Sequence, residues 1–203
     1  MRYALIILLL LVMASGAYAG DLMYAFTYEI AKPSGDTSDF IDKLSPIGGG
    51  IEIRGFDNRP FPAGLSFSFS GHFNAFSEDV SYTSPGSYLL AAADDNTEKR
   101  SMTAIPVLVH SDYHFTLLRD EPAAVPYLGV AVGGYWIKTE TEMHGVTEDC
   151  SSWHFGMAPE AGVMIPVGPK ALLILGVRYN YIFNSDHDGQ QYFTLGLGAV
   201  YNP

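Results

Sequence analysis

Hydrophobic and polar residues alternate along much of the chain with a period of two. The clearest stretch is residues 65–74, where Leu65, Phe67, Phe69 and Phe73 fall on one face and Ser, His and Asn side chains fall on the other. Successive side chains of a β-strand point to opposite faces of a sheet. The pattern therefore predicts a strand with one apolar face and one polar face.

Seven further stretches alternate in the same way, and no helical period of 3.6 residues competes with them. Their lengths are close to the roughly 9–11 residues that a tilted strand needs to cross a bilayer. The eight predicted strands are residues 23–31, 47–56, 65–74, 101–115, 125–139, 152–167, 170–183 and 192–201.

Alternation alone does not decide which face is buried, because soluble sandwiches and lipocalins also alternate, with the apolar face inward. Side-chain size favours the reverse arrangement. The apolar face carries bulky Phe, Tyr, Leu and Val, whereas the other face carries Gly, Ser and Ala with isolated charges. The interior of an eight-stranded barrel has room only for side chains, which suits that second face. Aromatic residues also gather near strand ends, as in membrane interfaces; they are Tyr24, Trp136, Trp153, Tyr181, Phe183 and Tyr201.

The connections between these strands alternate in length. Short connections with turn-forming Pro or Gly occupy residues 57–64, 118–124 and 168–169. Longer polar connections occupy residues 32–46, 78–100, 140–151 and 184–191. Long loops on one rim and short turns on the other are typical of outer-membrane barrels, in which closure leaves no strand edge open to lipid. We predict an all-β fold, a closed eight-stranded antiparallel up-and-down transmembrane β-barrel.

The start of the chain has a different pattern. Arg2 precedes an apolar run over residues 4–13, and Ala17, Tyr18 and Ala19 form an A-x-A cleavage pattern. The run is too short to cross a bilayer as a helix. It predicts a cleaved signal peptide over residues 1–19, followed by an exported barrel domain over residues 20–203.

Composition and charge exclude several classes of protein. Charged residues make up only 16% of the chain, while hydrophobic residues make up 48% and aromatic residues 13%, so the chain is not disordered. The chain has 11 Lys and Arg residues against 22 Asp and Glu residues, so it lacks the excess of basic residues typical of proteins that bind nucleic acid. The single cysteine, Cys150, excludes an internal disulfide framework and a thiolate metal cluster.

Five stretches in the second half of the chain resemble the outer-membrane β-barrel domain family of Gram-negative bacteria, in the broad class of small OmpA-like, OmpX-like and OmpW-like barrels. They are IPVLV at 105–109, VPYLGVAVGGYW at 125–136, FGMAPEAGV at 155–163, GVRYNYI at 176–182 and FTLGLGAVY at 193–201. Strand patterns specify architecture far more than activity. The resemblance implies an outer-membrane location among lipid and lipopolysaccharide, and insertion by the barrel-assembly machinery.

Charged residues on the predicted interior face need partners, because an unpaired charge in a dry interior is very costly. We expect Arg54 and Arg178 to neutralise Glu52, Glu160 and Glu29. Glu160 and Arg178 flank the same short turn close to cross-strand register, so the sequence predicts that they pair. Such a network either fills the barrel as structure or forms a gate or narrow conduction path.

The motif HSDYH brings Ser, His and Asp together within one short segment. In a strand, His110, Asp112 and His114 share one face and Ser111 points to the other, so the hydroxyl does not reach its base. We therefore predict no catalytic site and no enzymatic activity. A metal bound by His72, His110, Asp112 and His114 from facing strands is the less favoured alternative to plain hydrogen bonding, and we expect no metal and no cofactor. The predicted polar network of the lumen comprises Glu29, Glu52, Arg54, His72, His110, Asp112, Glu160 and Arg178.

Acidic residues concentrate in the predicted long loops, and Cys150 falls in the third of them. Such an acidic rim is a candidate site for divalent cations shared with lipopolysaccharide, and ordinary solvated loops are the simpler alternative. The loop acids are Asp36, Asp39, Asp42, Glu78, Asp79, Asp94, Asp95, Glu98, Glu140, Glu142, Glu148, Asp149, Asp186 and Asp188.

Two functions are compatible with these sequence features. In the first, the protein is an integral outer-membrane barrel with a structural or interaction role, a side-chain-filled polar lumen and acidic extracellular loops. In the second, it is a small channel for small or apolar solutes. Eight strands leave little bore, and the predicted interior charges and histidines fill it, which favours the first function.

Overall fold

The computed structural model describes residues 22–56, 64–81, 97–115, 124–143, 146–183 and 189–203. The predicted signal peptide lies outside this part of the chain. So do the predicted loop acids Asp94, Asp95, Asp186 and Asp188.

Eight strands form one closed antiparallel barrel in which each strand pairs with the next along the chain. Pairing of the last strand with the first closes the ring, with Glu29 opposite Gly196. The predicted fold class is therefore confirmed. The strands are β1 (Leu22–Ser34), β2 (Ile47–Phe56), β3 (Gly64–Ser81), β4 (Thr97–His114), β5 (Val125–Met143), β6 (Val146–Gly168), β7 (Ala171–Phe183) and β8 (Gln190–Tyr201).

The four strands β3 to β6 are longer than the sequence predicts, with 18, 18, 19 and 23 residues. The predicted loop at 140–151 is instead the outer part of the β5–β6 hairpin, whose pairing continues to Met143 and Val146. Cys150 consequently lies on β6 and is exposed. The acidic residues of this segment likewise lie on strands. Polar side chains at successive positions are typical of a loop. A pair of β-strands surrounded by water also tolerates polar side chains on both faces.

A short helix, α1 (Asp36–Phe40), lies within the predicted loop at 32–46. It begins after Gly35, which adopts a positive φ of 53°. The Thr37 hydroxyl accepts a hydrogen bond from the backbone N–H of Gln191 at 2.7 Å, which ties the helix to β8. No helix in the described ranges is long and apolar enough to cross a membrane.

The bulky apolar face of the strands points outward, as the side-chain sizes predict. Along β8, Phe193, Leu195 and Leu197 are between 46% and 56% exposed, whereas Tyr192 and Thr194 are buried. The exterior of the barrel is therefore an apolar surface, and the interior receives the alternate residues of each strand.

The interior has three layers along the barrel axis. On β1, Glu29 lies between Ala25 and Ala31, and on β7, Arg178 lies between Ile174 and Ile182. The polar layer is thus enclosed by apolar side chains on both sides. The upper apolar cluster, towards the longer strands, consists of Ala31, Ile41, Phe76, Met102, Ala104, Leu108, Ala131, Tyr135, Ile137, Ala158, Ile182 and Tyr192. The lower apolar cluster, towards the short turns, consists of Met23, Ala25, Val125, Tyr127, Met164, Leu172, Ile174 and Val200.

Candidate functional site

The polar layer of the lumen contains all eight residues that the sequence singled out. They come from β1, β2, β3, β4, β6 and β7, and each is at most 8% exposed. Their inward direction follows from the period-two alternation of each strand. The eight residues are Glu29, Glu52, Arg54, His72, His110, Asp112, Glu160 and Arg178.

Glycines on neighbouring strands make room for the large polar side chains. A Cβ at Gly50 would lie 2.0 Å from His72 Nδ1, and a Cβ at Gly129 would lie 1.8 Å from Asp112 Oδ1. Gly50 is the cross-strand partner of His72, and Gly129 is that of Asp112. The small residues of the interior face thus define where the polar side chains lie.

Arg54 holds one side of the polar layer together. Its Nε donates to Glu52 Oε1 at 2.7 Å, and its Nη2 lies 3.1 Å from Asp112 Oδ2. Nη1 lies 3.1 Å from His114 Nε2 and donates to it, because a guanidinium has no acceptor. The guanidinium carbon lies 5.3 Å from the centre of the Tyr127 ring, where the lower apolar cluster begins. Arg54 is therefore paired on every side, which offsets the cost of its burial.

Arg178 holds the opposite side of the polar layer. Its Nη2 donates to both carboxylate oxygens of Glu29, at 3.1 and 3.3 Å. Its Nη1 donates to His72 Nε2 at 3.0 Å, and His72 Nδ1 lies 2.8 Å from Glu29 Oε1. Asn74 also donates to Glu29, at 3.3 Å. This side therefore consists of an ion pair in which one guanidinium nitrogen contacts both carboxylate oxygens, with two supporting side chains.

The predicted ion pair between Glu160 and Arg178 is wrong, although the predicted register is present. The two residues are direct Cα partners on β6 and β7. Arg178 nevertheless pairs with Glu29, while Glu160 Oε1 lies 2.7 Å from His110 Nδ1. The physical reason is that interior side chains of a closed barrel reach across the lumen. A buried charge can therefore pair with a residue on a distant strand as well as with one on an adjacent strand.

Ser70, His110 and Glu160 are connected in the order of a Ser–His–acid triad. Ser70 Oγ lies 2.6 Å from His110 Nε2, and His110 Nδ1 lies 2.7 Å from Glu160 Oε1. The direction of the hydrogen bonds opposes catalysis. His72 Nε2 must accept from Arg178, so the Ser70 hydroxyl, 2.8 Å from the same nitrogen, donates to it. The Ser70 proton is therefore directed away from His110.

Sequence reasoning missed several members of this network. Ser70, not Ser111, contacts His110, and Ser66 contacts His114 at 2.9 Å. Asn180 also belongs to the interior, where its amide oxygen accepts from the Tyr135 hydroxyl at 3.1 Å. The signal was present in the alternation, since the serines lie on the polar face of β3. Only the contact partners could not be inferred from it.

The free space inside the polar layer is small. A cavity of about 40 Å³ lies among Glu29, Glu52, Arg54, Glu160 and other interior residues. A cavity of this size holds only a few water-sized volumes.

Comparison with solved structures supports the architecture. Neisserial surface protein A aligns with a TM-score of 0.59 and 18% identity, over 91% of this chain and 98% of that chain. Ail, the attachment invasion locus protein of Yersinia pestis, aligns with a TM-score of 0.53 and 17% identity, over 90% of this chain and 97% of that chain. The chain has the fold of these small eight-stranded outer-membrane barrels, which confirms the resemblance noted from the sequence.

Sequence comparisons add no activity to this fold. No family model matches the chain. No curated protein matches it either. The function has to be argued from the barrel surface and the lumen, because one fold supports many functions.

Proposed function

We propose that the protein is an integral outer-membrane barrel that keeps its lumen closed and has a structural or interaction role without catalysis. The packing of buried side chains inside the barrel supports this proposal. A charged layer is tied together by Arg54 and Arg178, and apolar clusters lie above and below it. A conducting pore needs a continuous polar path, and the packed side chains interrupt it.

The exterior surface supports a position in lipid. Phe26, Ile51 and Leu128 are each about 60% exposed, and they belong to a belt of outward apolar residues on all eight strands. A water-soluble monomer rarely exposes so much contiguous apolar surface. In a bilayer the same surface is favourable, and the closed ladder leaves no strand edge without a partner. Outer-membrane lipid and lipopolysaccharide are therefore the proposed neighbours, after insertion by the barrel-assembly machinery.

The outer ends of the long strands are the proposed interaction surface. They carry acids that include Glu140, Glu142, Glu148 and Asp149. Lys138 donates a hydrogen bond to Glu140 and lowers the pKa of that carboxyl, so it stays ionised in mildly acidic surroundings. This acidic rim suits divalent cations that also bind the phosphates of lipopolysaccharide.

The state of Ser70 supports the proposed non-enzymatic role. The residue is 1% exposed, and its hydroxyl proton is directed to His72. A nucleophile needs both an available base and access to substrate. Neither condition is met inside the polar layer.

Planar-bilayer recording tests the closed lumen. Purified protein is inserted into a bilayer, and insertion is verified by protease protection of reconstituted vesicles prepared in parallel. We expect no steady unitary conductance under conditions in which a general porin conducts. Steady openings of uniform size would contradict the proposal and favour a small channel.

A further inference from the structure

We propose that His110, Asp112 and Glu160 form an interior binding site for one divalent transition-metal ion of the zinc type. One ligand atom from each residue lies within 4.8 Å of the other two, and all three side chains are buried. One imidazole and two carboxylates are a ligand set suited to Zn²⁺ or Mn²⁺. The candidate metal ligands predicted from the sequence were different: they included His72 and His114 and did not include Glu160.

The register of three strands brings the two carboxylates together. Asp112 on β4 and Glu160 on β6 are both Cα partners of Gly129 on the intervening strand β5. Because residue 129 has no side chain, Asp112 Oδ1 occupies the space above its Cα. The two acidic side chains thus approach each other over Gly129, where their repulsion would be severe without a cation or a proton between them.

Asp112 is oriented as a ligand. Its Oδ2 lies 3.1 Å from Arg54 Nη2, an ion-pair contact that holds one side of the carboxylate. Neither of its carboxylate oxygens has a hydrogen-bond donor of good geometry among the described residues, although Asp112 is 0% exposed, and its carboxyl also contacts that of Glu160. A buried carboxylate oxygen without a donor is costly. A metal ion would supply the missing positive partner, with Arg54 as the outer residue that orients the ligand.

His110 has the hydrogen-bond polarity of a metal ligand. The Ser70 hydroxyl donates its proton to His72, so the 2.6 Å contact between Ser70 Oγ and His110 Nε2 requires a proton on Nε2. In the neutral imidazole the lone pair is then on Nδ1. Nδ1 lies 2.7 Å from Glu160 Oε1. At this hydrogen-bond distance a second proton bridges the two atoms when no metal is bound. A metal ion held by both atoms would replace that proton and move them slightly apart.

The charges of the polar layer point to the same conclusion. The layer contains two guanidiniums and four carboxylates, all buried. With neutral histidines, it carries two more negative than positive charges. One divalent ion at the His110 corner cancels this excess, and two added protons are the alternative. The carboxylates are Glu29, Glu52, Asp112 and Glu160, and the guanidiniums are Arg54 and Arg178.

Metal binding by the protein folded in detergent micelles tests the proposal, independently of location or conductance. The starting variant carries Cys150→Ser and alanine in place of His144, His154 and His187, the histidines outside the described polar layer. Equilibrium dialysis against ZnCl₂, followed by elemental analysis, is expected to give one Zn²⁺ per chain. Less than a fifth of an equivalent, or loss of all binding on making this starting variant, would overturn the proposal.

Substitutions then locate the ion. We expect Asp112→Asn and Glu160→Gln each to weaken Zn²⁺ binding by about tenfold or more. Glu29→Gln is the matched control, a buried carboxylate outside the ligand set, and it is expected to weaken binding by less than either. Folding of each variant is checked by its heat-dependent electrophoretic mobility. Equal affinity in all three variants would contradict the assignment.

X-ray absorption of the Zn²⁺-loaded starting variant identifies the ligands of the ion without any substitution in the site, so it tests the proposal even if the ligand variants fail to fold. It is expected to show imidazole nitrogen and carboxylate oxygen at about 2.0–2.2 Å. A coordination shell without imidazole would overturn the proposal.

Discussion

Arg178 and Glu160 face each other directly across the β6–β7 ladder, yet the Arg178 guanidinium lies 3.1 Å from Glu29 on β1. β8 separates β1 from β7, so this ion pair spans two ladders of the closed ring. It links the first strand to the seventh inside the barrel, where the burial of both side chains strengthens the attraction.

A double-mutant cycle tests that link. Glu29→Gln or Arg178→Gln alone leaves one charge buried and unmatched, and each is expected to lower the free energy of unfolding by about 3–5 kcal/mol. The double substitution should cost much less than the sum. Urea unfolding in detergent measures all four proteins.

The cycle of Glu160 with Arg178 is the control. Glu160 contacts His110 instead, so its coupling energy with Arg178 should be smaller than that of Glu29. A larger coupling for Glu160 would show that the cross-strand pair, and not the cross-lumen pair, is the main contact of Arg178.

Close packing over Gly129 predicts a strong effect of one added methyl group. In Gly129→Ala the new Cβ would lie 1.8 Å from Asp112 Oδ1, so the carboxylate has to move and its 3.1 Å contact with Arg54 is disturbed. We expect a loss of about 1–3 kcal/mol in unfolding free energy. Gly71→Ala is the matched control, because no atom lies within 4 Å of its added Cβ, and it should change stability little. Equal effects of the two substitutions would contradict the described packing.

The polarity of the exterior can be tested with a single cation. Leu175 lies in the middle of β7, points outward and is 43% exposed. In lipid, Leu175→Arg should cost about 2–4 kcal/mol near the bilayer midplane and reduce assembly. Val146→Arg, at the outer end of β6 next to the exposed polar residues 147–152, should have little effect. Heat-modified mobility of membrane-inserted protein gives the folded fraction, and normal assembly of both variants would oppose a lipid-facing belt.

Ser70 should behave as a structural serine. A fluorophosphonate probe labels activated serine nucleophiles, and we expect no adduct on the folded protein by mass spectrometry. A serine esterase in the same detergent is the positive control. An adduct on Ser70 would show both access and activation, and it would contradict the non-enzymatic proposal.

The fold could be predicted because its main signal is local. Period-two alternation states for each strand which residues share a face, and bulky outward residues identify the lipid side. The eight lumen residues were found in this way. Conversely, the ends of β5 and β6 were missed, since polarity on both faces there does not distinguish a strand in water from a loop.

The contacts of the lumen could not be predicted because they depend on three-dimensional closure. Strand tilt and stagger decide which interior side chains meet across the barrel. They bring Arg178 to Glu29 and Ser70 to His110. The apolar clusters that enclose the polar layer were also missed, because interior residues such as Met102 and Met164 were not distinguished from outward ones in the sequence.

Site-specific labelling on intact cells tests the central claim, a barrel inserted in the outer membrane with its long strands outside. Cys150 is exposed on the outer part of β6, while Lys170 lies in the tight turn between β6 and β7. A membrane-impermeant maleimide should label Cys150 on intact cells. A Lys170→Cys, Cys150→Ser variant should be labelled only after the outer membrane is permeabilised. The account would be contradicted if, on intact cells, Cys150 were protected and the cysteine at position 170 were labelled. Recovery of the protein as a soluble periplasmic species would contradict it as well.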